Sequence, residues 1–254
     1  MILDLFKLDG KVALVTGAGR GLGQGMAIAL AESGADVAGL DVIALDETAQ
    51  KVQSLGRRFL SLSANLLEAH AEDMTKVVEK VTSSLGRLDI VVNNAGIIRR
   101  APVLEFSEQD WDDVMAINLK AVFLLSQAAG RVMAAQGSGK IINIASMLSF
   151  QGGIHVPSYT ASKSGVAGLT RLFANELAGK GINVNAIAPG YMATDNTAPL
   201  RADAERAPAI LDRIPAGRWG EPSDLMGAVV FLASAASDYM NGAIVPVDGG
   251  WLTR

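Results

Sequence analysis

The chain is acidic and of moderate size, with 254 residues, 50% of them apolar and 19% charged, and a formal net charge of -4. This balance, without a run of like charges, disfavours nucleic acid as a partner, and the absence of cysteine excludes disulfides and thiolate chemistry. The only histidines, His70 and His155, lack the spacing of metal ligands, so no metal site is expected.

The N-terminal sequence MILDLFKLDGKV lacks the basic region and the long apolar segment of a signal peptide. No apolar run approaches the roughly 18 residues that a membrane helix requires. Together with the absence of cysteine, these features predict a cytoplasmic protein that does not bind membranes.

Short apolar segments alternate with helical patterns along the whole chain. Strands are predicted at 11–15, 36–40, 58–62, 88–92, 140–145, 182–188 and 243–247. Helices are predicted at 22–33, 46–55, 68–85, 107–135, 158–178 and 222–235. This alternation predicts an α/β fold built from right-handed βαβ units, with a doubly wound, seven-stranded parallel sheet and helices on both faces. No linker or repeat divides the chain, so we expect a single domain over 1–254.

The first predicted strand leads directly into TGAGRGLG (16–23), which opens the first predicted helix. Gly17, Gly21 and Gly23 lie where the strand must turn tightly into the helix. Glycine at such positions lets backbone N–H groups approach a pyrophosphate at the positive end of the helix. This context predicts a dinucleotide-binding loop.

Asp41 ends the second predicted strand, about twenty residues after the glycines. A carboxylate at this place accepts hydrogen bonds from both adenosine ribose hydroxyls and repels a 2′-phosphate, which favours NAD over NADP. Arg20 opposes this preference, since its guanidinium is able to reach a 2′-phosphate. We expect Asp41 to dominate, because Val42 supplies no second cation. The alternative is an exposed strand-end aspartate without a ligand role.

The sequence NNAG (93–96) follows the fourth strand, at the sheet edge where ligands bind in this architecture. Asn93 there either contacts the cofactor or braces the strand ends. Arg99 and Arg100 come shortly after, and His155 precedes a tyrosine later in the chain. Each of these three is a candidate for binding a substrate carboxylate, and a solvated surface cation is the alternative for any one of them.

Two helical segments are apolar on nearly all faces, namely residues 111–132 and the helix that begins near 158. A helix of this kind is buried on more than one side. Because the sheet covers only one side, we expect partner subunits to cover the other.

The stretch SYTASKSG (158–165) places Tyr159 and Lys163 four residues apart. On a helix this spacing brings both side chains to one face. A neighbouring cation lowers the pKa of a phenol from its ordinary value of about 10, which turns the phenol into an acid–base group near neutral pH. The alternative is an ordinary turn of a surface helix.

The least regular part of the chain is the 190–221 segment, which contains Pro199, Pro208 and Pro215 around a short helical piece. A loop of this length in a compact domain is usually functional. We expect it to cover the substrate.

These features together resemble the short-chain dehydrogenase/reductase family from end to end. The motifs that carry the resemblance are TGAGRGLG (16–23), NNAG (93–96), Asn118 in the long helix, Ser146 after the fifth strand, YTASK (159–163), PG (189–190) and Thr194. The resemblance implies a Rossmann fold and a nicotinamide-dependent oxidoreductase that assembles as a homotetramer.

The resemblance also implies the roles of four catalytic residues. Tyr159 would exchange a proton with the substrate oxygen, Ser146 would hold the same oxygen, and Lys163 would bind the nicotinamide ribose. Asn118 would order a water that links Lys163 to solvent, whereas an amide bonded to its own helix is the alternative.

A set of residues along the strand ends would hold the dinucleotide, by the same resemblance. These are Gly17, Gly19, Arg20, Gly21, Leu22, Gly23, Asp41, Asn65, Leu66, Asn93, Ala95, Gly96, Tyr159, Lys163, Pro189, Gly190 and Thr194. Asn65 departs from the pattern, since the family often has an aspartate there facing the adenine amino group. An amide oxygen is still able to accept that hydrogen bond.

Within the family, the chain is most similar to members that act on deoxy sugar acids, through stretches such as GRRFLSL, LEFSEQDWDDVM and KIINIASMLSFQGG. This implies the interconversion of a ketone and a secondary alcohol. The substrate is expected against Arg99, Arg100, Ser146, His155 and Tyr191. An alginate-derived deoxyhexulosonate, gluconate or a neutral polyol is the alternative substrate. A non-catalytic dinucleotide sensor is disfavoured because Tyr159 and Lys163 are both present.

Overall fold

All seven strands join one parallel sheet in a computed structural model, which describes residues 1–254. The strands are β1 (Val12–Thr16), β2 (Asp36–Asp41), β3 (Phe59–Ser63), β4 (Ile90–Asn93), β5 (Gly139–Ile144), β6 (Ile182–Pro189) and β7 (Ile244–Val247). Their order in the sheet is β3-β2-β1-β4-β5-β6-β7, and every neighbouring pair is parallel. Each strand begins and ends within two residues of its predicted bounds.

Nine α-helices connect or follow these strands. They are α1 (Gly21–Glu32), α2 (Asp46–Ser54), α3 (Ala71–Leu85), α4 (Glu108–Met115), α5 (Ala121–Gln136), α6 (Pro157–Leu177), α7 (Ala198–Ala202), α8 (Arg206–Arg213) and α9 (Met226–Ala233). None of them combines the length and the apolar composition that a bilayer-spanning helix requires.

Both faces of the sheet are buried, as the near-continuous apolar strands predict. In β1, Val12 and Leu14 pack into a cluster that includes residues of α3, α5 and α6. The alternate residues Ala13 and Val15 pack into a second cluster with residues of α1 and α9. Successive side chains of a strand point to opposite faces, so this division confirms the doubly wound, layered fold.

The helix predicted at 107–135 is interrupted. Residues Ala116–Lys120 form a π-helical turn between α4 and α5, and Asn118 lies at its centre. Such turns are often found at functional sites. The apolar pattern extends across the turn, so the sequence gives no indication of the break.

The 190–221 segment contains more regular structure than the single helical piece that its prolines suggest. It holds a 3-10 turn at Asp195–Thr197 and the two short helices α7 and α8. Ile210 of α8 and Ile214 are buried in a cluster that also contains Met147 and Trp251. These contacts anchor the segment over the carboxyl ends of β5 and β6.

Candidate active site

The carboxyl ends of the central strands bring the predicted motifs together. The chain winds to one side of β1 and then to the other, so the switch point lies between β1 and β4. TGAGRGLG leaves β1, Asn93 ends β4, Ser146 follows β5 and Pro189 ends β6. In open α/β sheets the ligand crevice lies outside these strand ends at the switch point.

The glycine loop between β1 and α1 leaves the N-terminus of a helix uncovered. Arg20, the N-cap residue of α1, makes no capping hydrogen bond through its side chain, so the first N–H groups of the helix have no such partner. A Cβ on Gly17 would lie 2.8 Å from Asn94 Nδ2, and one on Gly23 would overlap the carbonyl oxygen of Gly17. Gly21 has a φ of 58°, which favours glycine. This loop fits the pyrophosphate of a dinucleotide, since anions bind at the positive end of a helix.

Asp41 is held at the end of β2, against the glycine loop. Its carboxylate accepts the N–H groups of Gly19 at 2.8 Å and of Val42 at 2.7 Å. Arg20 instead forms an ion pair at 2.8 Å with Asp195 of the 190–221 segment. The carboxylate is thus fixed where an adenosine ribose is expected, and the opposing cation already has an acidic partner.

Asn65 and Leu66 follow β3 at the same edge. The side-chain oxygen of Asn65 accepts the N–H of Leu67 at 3.1 Å, which closes a local turn. Leu66 packs, partly buried, against the cluster beneath α3 and α5. The oxygen of Asn65 keeps one lone pair for an adenine amino group.

The side chain of Asn93 is buried within the sheet. It donates to Ser126 Oγ at 3.0 Å and to Asn143 Oδ1 at 2.8 Å, and Asn143 donates in turn to Thr170 Oγ1 at 2.9 Å. This network joins β4 and β5 to α5 and α6. The Asn93 side chain therefore acts as a brace, one of its two expected roles, and only its backbone is left to meet a cofactor.

Asn94, the second asparagine of NNAG, fixes the glycine loop to β4. Its Nδ2 donates to the carbonyl oxygens of Thr16 at 2.9 Å and Gly17 at 3.2 Å. The hydroxyl of Thr16 accepts the N–H groups of Asn94 and Ala95, each at 3.0 Å. The position of Asn94 inside NNAG, next to a strand end, was the only indication of this role.

Tyr159 and Lys163 share one face of α6, as their spacing predicts. The Lys163 ammonium lies 5.7 Å from the centre of the Tyr159 ring and donates to the carbonyl oxygen of Ile144 at 2.6 Å. Lys163 is only 4% exposed, and this burial lowers its pKa to about 8. The cation is therefore bonded to the sheet and not to the phenol oxygen.

The electrostatics of the phenol differ from the expectation. Burial raises the pKa of Tyr159, while its hydrogen bond with Ser146 and the charge of Arg100 lower it. Lys163, whose own pKa is lowered by burial, is not among the groups that lower the pKa of the phenol. In the free protein, Arg100 is thus the cation that favours the phenolate, and the phenol is protonated at neutral pH.

Asn118 connects the π turn to the loop after NNAG. Its side-chain oxygen accepts the N–H of Ile97 and its Nδ2 donates to the carbonyl oxygen of Ile97, both at 2.9 Å. A Cβ on Gly96 would lie 3.2 Å from the same oxygen, so glycine allows this approach. The side chain is therefore bonded to a neighbouring loop. The alternative, an amide bonded to its own helix, is not what the structure shows.

The three candidate cations lie in different surroundings. Arg99 forms an ion pair at 3.2 Å with Asp110 of α4, which neutralises it. Arg100 has no acidic partner and donates to the backbone carbonyl oxygen of Asn196 at 3.2 Å. His155 is exposed and has a φ of 61°, and its carbonyl oxygen accepts the N–H of Ala101. The structure therefore brings Arg100 towards Tyr159. The backbone of His155 supports the loop that carries Arg100.

The remaining predicted residues follow β6. The N–H of Gly190 donates to Val247 at 2.9 Å. Tyr191 packs against Trp219 and Trp251, with ring centres 5.5 Å and 4.7 Å apart. Thr194 approaches the glycine loop: its methyl lies 4.0 Å from the position of a Cβ on Gly21. Gly190, Tyr191 and Thr194 thus connect the sheet edge to the covering segment.

Comparisons with known proteins extend over the whole chain. A family model described as enoyl-(acyl carrier protein) reductase matches residues 17–252. The chain is 63% identical to the 2-dehydro-3-deoxy-D-gluconate 5-dehydrogenase of Escherichia coli, with 100% of both chains covered. It is 55% identical to the protein of that name from Bacillus subtilis, over 99% of this chain and 98% of the relative.

A solved structure from Agrobacterium tumefaciens, described as a proposed 2-deoxy-D-gluconate 3-dehydrogenase with bound NADP, is 56% identical. Its TM-score is 0.92, and the match covers 99% of this chain and 100% of that chain. The sequence and the fold thus point to the same group of proteins.

Proposed function

The chain belongs to the short-chain dehydrogenase/reductase family, an oxidoreductase family, and on that premise we propose that it interconverts a ketone and a secondary alcohol on a six-carbon deoxy sugar acid. The proposed reaction is that of the 2-dehydro-3-deoxy-D-gluconate 5-dehydrogenases or of a 2-deoxy-D-gluconate 3-dehydrogenase. The observation that carries it is Arg100, a cation without an acidic partner whose charge acts on Tyr159. Similarity to relatives with these names supports it.

In the proposed reduction, the protonated Tyr159 donates its proton to the substrate oxygen as the carbonyl becomes an alcohol. Ser146, whose hydroxyl lowers the pKa of the phenol, donates a second hydrogen bond to the same oxygen and stabilises its developing charge. The nicotinamide, when bound, supplies the hydride in this direction and accepts it in the other. In the oxidation, Tyr159 acts as the base, and Arg100 and Ser146 favour its phenolate form.

Lys163 and Asn118 act through their neighbours in this proposal. Lys163, held by Ile144, is placed to bind the nicotinamide ribose and to exchange protons near neutral pH, since its pKa is about 8. The side chain of Asn118 is bonded to Ile97, so the ordering of a water falls to its backbone. The π turn supports this role, because such a turn disturbs the regular helical pairing of carbonyl groups.

The cofactor belongs in the crevice between the glycine loop and the ends of β4 and β6. Leu22 and the glycines of the loop would hold the pyrophosphate, and Asp41 the adenosine ribose. Ala95, Gly96 and Pro189 would form the wall beside the nicotinamide. We propose NAD as the preferred cofactor because the Asp41 carboxylate is fixed by Gly19 and Val42. The Agrobacterium relative is described with bound NADP, so the test compares both cofactors.

We expect NADH to give a higher kcat/KM than NADPH, and Asp41→Ala to reduce that ratio. The carboxylate repels a 2′-phosphate, and its removal leaves Arg20 to attract one. Steady-state rates with both cofactors test this, and direct binding of both cofactors by fluorescence separates affinity from turnover. Asp46→Ala, at an exposed position at the start of α2, is the matched control and should leave the ratio unchanged. A wild type that works faster with NADPH would show that Arg20 outweighs Asp41.

The substrate class is tested by comparing 2-deoxy-D-gluconate with the corresponding neutral sugar alcohol. We expect the acid to have the higher kcat/KM, because a charge-assisted hydrogen bond contributes roughly 1.5–3 kcal/mol, which is about ten- to a hundredfold. Arg100→Ala should raise KM for the acid alone, and it should lower kcat for acid and alcohol alike, because the charge of Arg100 also favours the phenolate of Tyr159. Arg99→Ala is the control, since Arg99 is paired with Asp110. Equal kcat/KM for acid and alcohol in the wild type would exclude the sugar-acid proposal.

The 190–221 segment is proposed as the lid of the site within a single catalytic domain over 1–254. It carries Tyr191 and Thr194, and its Asp195 and Asn196 are bonded to Arg20 and Arg100 from the two sides of the crevice. These contacts support a lid that covers both the cofactor and the substrate regions.

A cytoplasmic homotetramer is the proposed form of the enzyme. Trp111 of α4 is 39% exposed and Leu172 of α6 is 45% exposed, so apolar surface remains on the helices that face away from the sheet. A partner subunit would cover it. The mass of the assembly in solution tests this part of the proposal.

A further inference from the structure

Two arginines that form no ion pair come from the two segments that border the substrate region. Arg100 comes from the loop after β4, and Arg206 begins α8 in the 190–221 segment. The ion pairs of the chain occupy other arginines, and neither of these two guanidiniums takes part in one. Unpaired cations that face a cleft are candidates for binding an anion.

The packing of α8 turns Arg206 towards the site. Ile210 lies four residues further along the helix and is buried with Met147, which directly follows Ser146. Residues four apart share a helix face, so Arg206 lies on the face of α8 that packs over the strand ends. Its backbone is fixed by a hydrogen bond of 2.9 Å from its N–H to the carboxylate of Asp203.

The pKa of Arg100 responds to the charge of Arg206, so the two guanidiniums are neighbours. Burial of its guanidinium and the charge of Arg206 both lower the pKa of Arg100, whereas Tyr159 and Tyr191 raise it. Two like charges near one another are unfavourable until an anion lies between them. The charge of Arg100 also acts on the phenol of the proposed acid–base residue.

We propose that Arg206 is the second cation of the substrate carboxylate site, so that the carboxylate is bound between Arg100 of the sheet edge and Arg206 of the 190–221 segment. This inference rests on the proposed function, because it assumes an acidic substrate. The bound carboxylate would then connect α8 to the loop after β4. An acidic substrate would hold the segment closed, whereas a neutral one would leave the two guanidiniums to repel each other.

Arg206→Gln separates this assignment from a structural role. We expect kcat/KM for 2-deoxy-D-gluconate to fall about ten- to a hundredfold, mostly through KM, with little change for the neutral sugar alcohol. Arg206→Lys should recover part of the loss, because it restores the charge. Arg201→Gln, in the same segment, is the matched control and should leave the ratio of acid to alcohol unchanged.

Limited proteolysis of the 190–221 segment gives a measurement that does not depend on turnover. We expect 2-deoxy-D-gluconate with NADH to protect the segment in the wild type and not in Arg206→Gln. Suppose that the wild type prefers the acid and that Arg206→Gln keeps both this preference and the protection from proteolysis. The role of Arg206 would then be overturned, and the proposed function would stand. A wild type without any preference for the acid would overturn the proposed function itself. A loss of equal size for acid and alcohol would assign Arg206 a structural role.

Discussion

Tyr159→Phe is expected to lower turnover by about 10²–10⁴-fold while NADH binding is retained. The substitution removes the phenol hydroxyl of the side chain that lies beside Lys163 on α6, and it leaves the ring in place. Ser146 keeps one hydrogen bond for the substrate oxygen but has no adjacent base to exchange a proton with it. The loss should therefore appear in kcat, measured with saturating substrate, while the fluorescence of bound NADH is unchanged.

Tyr239→Phe is the matched control for this variant. It removes the same hydroxyl from a fully exposed tyrosine at a distance from the crevice. It should leave turnover and thermal stability unchanged. Near-normal turnover of Tyr159→Phe would remove the phenol from the mechanism. An equal fall in NADH affinity would mean that the variant had disturbed the crevice instead.

Gly23→Ala is expected to abolish measurable cofactor binding and to lower the melting temperature. The added methyl would overlap the carbonyl oxygen of Gly17 and would lie 2.5 Å from Asn94 Nδ2. The loop would have to open and lose the hydrogen bonds that Asn94 makes to Thr16 and Gly17. Overpacking of this kind typically costs about 1–3 kcal/mol, and here it displaces the backbone that approaches the pyrophosphate.

The control for this change is Gly227→Ala in α9, where an added methyl meets nothing within 4 Å. Alanine in place of glycine inside a helix should be neutral or stabilising by about 0.5–1 kcal/mol. Isothermal calorimetry with NADH and thermal unfolding compare the two variants. Unchanged NADH affinity in Gly23→Ala would show that the loop yields without loss of the site.

The elements that were predicted from sequence are those whose patterns are local. Apolar β-branched runs and the glycine loop occupy neighbouring residues, so the strands and the dinucleotide crevice follow from them directly. The pairing of Tyr159 with Lys163 is local in the same way, since both lie on one helix.

The parts that sequence did not predict depend on contacts between distant residues. Lys163 donates to Ile144, nineteen residues earlier in the chain, and this bond determines where its charge lies. Arg206 acquires a role only because Ile210 packs α8 over the strand ends, and no pattern near Arg206 indicates that packing. The Asn93 network likewise joins four elements that are far apart in sequence.

The π turn at Ala116–Lys120 makes this part of the chain sensitive to length. A π turn holds one residue more than an α-helical turn, and each residue rotates a helix by about 100°. Loss of a single residue before Asn118 would restore an ordinary helix and swing the amide by that angle away from Ile97. Point substitutions around the turn keep the helical phase, whereas a one-residue deletion changes the direction of every side chain between α4 and α5. This turn should therefore tolerate a change of residue type but not a change of residue number.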